Sequence, residues 1–238
     1  RSSPLKVGGI RMKILFVGNS HTYMNDMPEM VRINSSEKLE VTMLARPAIT
    51  FHDHLESMEL QFALKQGYDF VIFQQASHEP CPSKEATLHD AKALIELARS
   101  CGVMPYIMIP WSQRNYDDDF KTTKDIYHQV MMDNLVDGIP VGYVINRLSH
   151  QNPELELFQS DNQHLTSLGS YLESITILNT IFFETKFPGK LIYPNQSSFE
   201  EHQLDERLID FLTKEVVHTV ERFKSNYCVC GKREILDD

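Results

Sequence analysis

Short apolar runs alternate with helical patterns along most of the chain, and this alternation limits the possible fold more than any other feature. KILFVG (13–18) is a continuous apolar run closed by glycine, the pattern of a strand buried on both faces. LEVTML (39–44), YDFVIFQ (68–74) and VMPYIMIPW (103–111) repeat it, with Pro105 suited to an edge or to a position before full pairing begins. Between them the spacing predicts a helix starting at Met27-Pro28, and one over 54–67 with Leu55, Met58, Phe62 and Lys65 on one face, ended by Gly67. A third over 83–102 has Ser83 as its cap and Leu88, Ala91, Leu94, Ile95 and Ala98 turned inward. Further helices are expected over 118–138, 140–148, 167–185 and 202–224, with a short strand ELELF at 154–158. Strands followed by helices of this length specify an α/β chain, a three-layer α/β/α sandwich around a mostly parallel sheet. In such a sheet the crossovers are right-handed and binding groups gather beyond the carboxyl ends of the strands.

With 238 residues, 42% of them hydrophobic, the chain can bury one substantial core. The expected organisation is a single domain over 13–225, an extension or vector remnant at 1–12 with Met12 as a native start, and a tail at 226–238. Asp and Glu outnumber Lys and Arg by 33 to 23, giving a formal net charge of -10, and no basic stripe interleaves with aromatics, which argues against nucleic acid as a partner. No stretch reaches the length of a membrane span, and RSSPLKVGGIRMK lacks the apolar run of a signal peptide. Cys81, Cys101, Cys228 and Cys230 form neither a disulfide framework nor a two-pair zinc spacing, so a cytoplasmic setting is expected. Cys228 and Cys230 fit a metal-binding or oxidant-reactive pair as well as an incidental feature of the C-terminus.

Two polar clusters carry the chemistry. In VGNSHTY (17–23), Ser20 stands two residues beyond Gly18, where a strand must release into a helix. A serine there either caps the helix, as Asn19 also can, or exposes its hydroxyl beside backbone N–H groups aimed at developing negative charge. A hydroxyl is a weak nucleophile without a base. DNQH (161–164) supplies one: Asp161 lies three residues before His164, close enough to accept its Nδ1–H and leave Nε2 for the serine proton. The same DxxH pattern also fits an ordinary loop hydrogen bond.

FVGNSHTYMNDMP and QSDNQHLTSLGSYLESI together resemble the first and last blocks of the SGNH or GDSL-type hydrolases, over roughly residues 12 to 185. The resemblance implies a flavodoxin-like sheet, Ser20 as nucleophile, Asp161 and His164 as acid and base, and no cofactor. It fits less well elsewhere. The family's second block offers a glycine N–H, whereas LARPAITFHDHL has Pro47 and Ala48, of which only Ala48 can donate. The third block's GxND is replaced by VIFQQASHEP. Gln74 and Gln75 both carry amide donors, but neighbours on an extended strand point oppositely, so at most one faces the serine; Gln75 is favoured, and Ser77 is a further candidate. The implied oxyanion hole is thus the N–H of Ser20, that of Ala48 and one donor from 74–77.

His21, Tyr23, Ser77, His78 and Trp111 are candidate substrate contacts, with core packing the alternative for Tyr23 and Trp111. His52, Asp53 and His54 contain ligand-type side chains but no complete metal set, and no metal is expected. Arg46 and Arg114 are available to a charged part of a substrate. The resulting expectation is a serine ester hydrolase working through an acyl-enzyme on short-chain or O-acetyl esters, including those of carbohydrates. The alternatives are a lipase or thioesterase for longer acyl chains, a non-catalytic carbohydrate-binding or interaction protein on the same fold, and a sensor using Cys228 and Cys230.

Overall fold

The computed structural model describes residues 11–77, 82–114, 117–194 and 199–227. Its elements in chain order are β1 (Met12–Gly18), α1 (Ser20–Tyr23), α2 (Met27–Asn34), β2 (Leu39–Ala45), α3 (Phe51–Leu55), α4 (Met58–Leu64), β3 (Phe70–Phe73), α5 (Lys84–Ser100), β4 (Met104–Met108), α6 (Asp117–Asn134), β5 (Asp137–Ile139), α7 (Val141–Gln151), α8 (Ser167–Phe182), β6 (Lys190–Pro194), β7 (Phe199–Gln203) and α9 (Glu206–Tyr227). The main sheet has the order β2-β1-β3-β4-β5 with every pairing parallel, the flavodoxin-like arrangement anticipated from sequence.

Alternation along the central strands feeds two cores. Ile14 and Phe16 of β1 and Ile72 of β3 face Met27, Met30 and Val31 of α2 together with α7, α8 and α9. Leu15 and Val17, with Val71 and Phe73, face Leu60 and Leu64 of α4, Leu94 and Ile95 of α5, and Val130 and Met131 of α6. Each fully buried aliphatic side chain of this kind contributes roughly 2 kcal/mol. With both faces covered, β1 and β3 read as the unbroken apolar runs seen in the sequence.

Several boundaries differ from expectation. The helix expected over 54–67 is two short helices: Thr50 and Asp53 form a capping box that starts α3 at Phe51, and Ser57 caps α4 by accepting from Glu59 N–H. The break rotates the inward face, leaving Met58 83% and Phe62 69% exposed while Phe51, Leu60 and Leu64 are buried. ELELF is no strand: Pro153–Leu155 is a 3-10 turn, and only Phe158 pairs, through an isolated bridge to Leu165. Pro105 lies in an interior strand, at a position where β3 already pairs but β5 pairs only from Tyr106. The end of the 118–138 helix is instead β5, and residues 202–203 belong to an antiparallel β6–β7 hairpin. Asn34 pins that hairpin to α2, accepting from Lys190 N–H at 2.9 Å and donating to its carbonyl at 2.8 Å as a strand neighbour would. Among the described residues no helix is long and apolar enough to cross a membrane.

The long helix α8 is buried on almost every side, and Glu173 goes in with it, wholly buried, with no hydrogen-bond partner for either carboxyl oxygen among the described residues. Burial raises its pKa well above the ordinary 4.5, because the charged form loses its hydration. The folded chain therefore holds a proton that the unfolded chain releases, and stability falls as pH rises above 4.5 towards the folded-state value. Replacing the carboxyl by an apolar group of similar length removes this burden. Glu173→Met is expected to raise Tm in scanning calorimetry, with a larger gain at about pH 8 than at about pH 5.

Candidate active site

Because every strand of the main sheet runs the same way, the segments after β1, β2, β3 and β4 emerge along one edge, and the order in which strands are added reverses between β1 and β3, the place where such sheets open a crevice. At the β1 exit a Cβ on Gly18 would lie 2.2 Å from Thr22 Oγ1 and 2.6 Å from Gln74 Oε1. Glycine lets those two atoms close in. Gln74 Oε1 accepts from Asn19 N–H at 3.0 Å and from the Thr22 hydroxyl at 2.9 Å, while Asn19 Oδ1 caps α1 by accepting from His21 N–H. Ser20 is thereby held as the first residue of α1. Asn25 (φ 55) and Asp26 (φ 50) then kink the chain through the left-handed region, which Asn and Asp tolerate best, before α2 begins.

The 161–164 turn is organised by one carboxylate. Asp161 Oδ1 accepts from the N–H groups of Gln163 at 2.9 Å and His164 at 3.0 Å, and Asn162, between Asp161 and Gln163, takes a left-handed φ of 59. Asp161 Oδ2 lies 2.6 Å from His164 Nδ1, and His164 Nε2 lies 2.9 Å from Ser20 Oγ. Burial pushes the Asp161 carboxyl up, but the bonds from the His164 ring and the two backbone N–H groups outweigh it and hold the pKa below its ordinary value. An ionised carboxylate only accepts, so Nδ1 carries the imidazole proton and Nε2 is left to accept from the serine hydroxyl. The two polar clusters, 144 residues apart in sequence, meet in one hydrogen-bonded chain.

A cleft of about 280 Å³ opens beside Ser20, lined by Asn19, His21, Tyr23, Pro47, Ala48, Ala76, Ser77, Gln163 and His164. Ala48 occupies the third position of a turn from Arg46 to Ile49 with φ 54, a conformation that favours glycine. The His21 ring stacks on that of His164 with centroids 5.4 Å apart and meets Trp111 edge-on at 4.6 Å.

Other predicted contacts are placed elsewhere. Gln75 is buried: its Oε1 accepts from Phe51 N–H at 2.7 Å and its amide nitrogen turns to Thr87. Gln74 is buried too, its oxygen on the β1 exit and its amide donating to the Gln75 carbonyl. Neither glutamine lines the cleft, so the side-chain donor expected from this pair is not found there; the Gln74 oxygen instead satisfies Asn19 N–H at the β1 exit, and the Gln75 oxygen satisfies Phe51 N–H at the start of α3. Trp111 is 2% exposed and is core rather than cleft wall, with Nε1 donating to the Gln163 carbonyl at 2.9 Å. His78, Cys81, Cys228 and Cys230 lie outside the described residues. Arg46 pairs with Glu59 at 2.5 Å. Asp53 belongs to the α3 capping box and buried His54 contacts the Gly18 carbonyl at 3.0 Å, so their spacing reflects a helix start; no metal-holding group of three or more His, Cys, Asp or Glu occurs among the described residues. Asn25 and Gln159, which contact the histidine turn, were missed. Only the helix-breaking Asn-Asp-Met-Pro run hinted at the first.

No protein-family model matches the sequence, and no curated protein does. Solved structures do. A proposed SGNH hydrolase from Slackia heliotrinireducens superposes with a TM-score of 0.65 at 27% identity, over 72% of this chain and 100% of the other. The chain has the fold of the SGNH/GDSL hydrolases. A lipase/acylhydrolase from Enterococcus faecalis (TM-score 0.58, 15% identity, 78% and 100% of the two chains) and the acetyl xylan esterase AlAXEase (0.62, 16%, 71% and 100%) share the fold.

Buried His54, which contacts the Gly18 carbonyl at the β1 exit, makes the stability of the fold depend on pH. Burial lowers its pKa from 6.5, partly offset by the Gly18 carbonyl. Below 6.5 the unfolded chain takes up a proton that the folded chain refuses, so stability is lost as pH falls from there towards the folded-state value. His128, also depressed by burial, adds a slope of the same sign. His54→Gln keeps a donor for the Gly18 carbonyl, and its Tm is expected to fall less than that of the parent between about pH 7.5 and pH 5.

Proposed function

We propose that the chain is a serine ester hydrolase that acts through an acyl-enzyme on neutral esters of short acyl groups, including O-acetyl groups on carbohydrates. The observation that carries this reading is the continuous path from Ser20 Oγ through the His164 ring to Asp161, with contacts of 2.9 and 2.6 Å. In the mechanism it supports, His164 Nε2 takes the proton as Ser20 Oγ attacks the ester carbonyl, and Asp161 stabilises the imidazolium. The oxyanion faces the N–H of Ser20, the first residue of α1 and so without an intrahelical carbonyl, and that of Ala48 across the cleft. His164 then protonates the leaving alcohol. Water activated by the same nitrogen releases the acid from Ser20.

The cleft's size and chemistry support the substrate class. Pro47, Ala48 and Ala76 are small, and the described lining carries no Lys, Arg, Asp or Glu side chain. Tyr23, Ser77 and Gln163 offer hydrogen-bonding groups suited to a polyhydroxy alcohol. Acetyl xylan esterases among the structural relatives agree with this class.

Intact-mass measurement with a serine-directed fluorophosphonate is expected to show one adduct that Ser20→Ala abolishes and His164→Ala strongly slows. Persistence of the adduct in Ser20→Ala would sink the nucleophile assignment. Asp161→Asn is expected to lower kcat by about 10⁴-fold. Across p-nitrophenyl acetate to octanoate, kcat/KM should fall with chain length; a rise towards octanoate would favour an acylhydrolase of longer chains.

A further inference from the structure

Three successive carbonyl groups around His164 are gripped by donors. That of Gln163 accepts from Trp111 Nε1 at 2.9 Å, that of His164 from Gln159 N–H at 2.8 Å, and that of Leu165 from Asn25 Nδ2 at 2.9 Å. Gln159 belongs to the same turn and reaches Leu165 again through its side chain at 2.8 Å, so it shapes the turn without fixing where the turn sits. Trp111 and Asn25 act differently. They come from the exits of β4 and β1, 52 and 140 residues from the carbonyls they hold, and so tie the turn to the sheet edge that carries Ser20.

Both donors are built in. Asn25 is 6% exposed, adopts a left-handed backbone between α1 and α2, and gives a second amide bond to Ser170 Oγ at 2.9 Å in the first turn of α8. Both of its amide hydrogens have acceptors. Trp111 is 2% exposed, and its indole meets the His21 ring that backs His164. The turn between them is comparatively open, with the Asp161 side chain 45% exposed. Its internal bonds keep Asp161 and His164 together but do not stop the pair drifting away from Ser20 as a unit. Proton transfer needs Nε2 within hydrogen-bond reach of Oγ, and a misplacement of about 1 Å lowers rates by about 10²-fold.

We infer that Asn25 and Trp111 are positioning residues that hold the Asp161–His164 pair against Ser20, a role that rests on the ester-hydrolase reading and adds two side chains that do not touch the reacting atoms. Three variants remove the grip with little change of shape. Trp111→Phe deletes the N–H and keeps a ring, Asn25→Gly keeps the left-handed backbone and deletes the amide, and Asn25→Asp keeps the size but replaces the donor.

The test measures kcat and KM for p-nitrophenyl acetate in each variant, alone and combined with His164→Ala. Alone, each is expected to lower kcat by about 10- to 100-fold with KM nearly unchanged. In the His164→Ala background, each should leave the residual rate unaltered, because residues that act through a third lose their effect once it is gone. Unchanged kcat in the single variants, or an equal loss with and without His164, would overturn the inference while leaving the hydrolase reading in place. Full activity in His164→Ala by itself would overturn that reading and the inference with it. Should Asn25→Gly fail to fold, Asn25→Asp and Trp111→Phe carry the same comparison.

Discussion

All five strands of the main sheet point the same way, and the remaining features of the site depend on that constraint. Parallel pairing forces each strand to hand its chain to a crossover helix and releases the following polar segments along a single edge. Ser20, Ala48, Ser77 and Trp111 are far apart in sequence, yet each sits just past the carboxyl end of a different strand. The sheet provides the meeting place, and the short loops need only local rules to finish the geometry. Gly18 admits Gln74 and Thr22, Asn19 caps α1, and Asp161 closes its turn.

Much of this was legible in the residues. Runs such as KILFVG are buried on both faces, so their character survives without knowledge of their neighbours, and the α5 face from Leu88 to Ala98 kept its helical period. Ser20, Asp161 and His164 stood out because chemistry and position coincided. The two readings of DxxH, a loop hydrogen bond and an orienting pair, proved compatible: one oxygen of Asp161 accepts from the turn and the other from the imidazole.

What was not legible depends on contacts made at long range or on weak local signals. The three residues of β5 carry too little pattern to separate from the preceding helix, and the β6–β7 hairpin is tied to α2 through Asn34, some 156 residues distant from Lys190. Met58 and Phe62 misled because apolar spacing was counted across Ser57, whose hydroxyl restarts the helix. Gln74 and Gln75 misled for a different reason. A side-chain amide near a proposed oxyanion looks like a donor to it, but the oxygens of these two accept from Asn19 N–H at the β1 exit and Phe51 N–H at the start of α3, a demand that appears only once those segments lie beside the β3 exit.

Ala48 shows how a backbone torsion can bear on molecular discrimination. Its left-handed conformation is one that glycine adopts freely and alanine holds at a penalty of about 1 to 2 kcal/mol. Ala48 borders the cleft, so the strained torsion sits in the wall beside Ser20. In the hydrolase reading, a turn held in this torsion sets the width of the space beside the nucleophile, making selection by size in part a property of the main chain rather than of any recognisable motif.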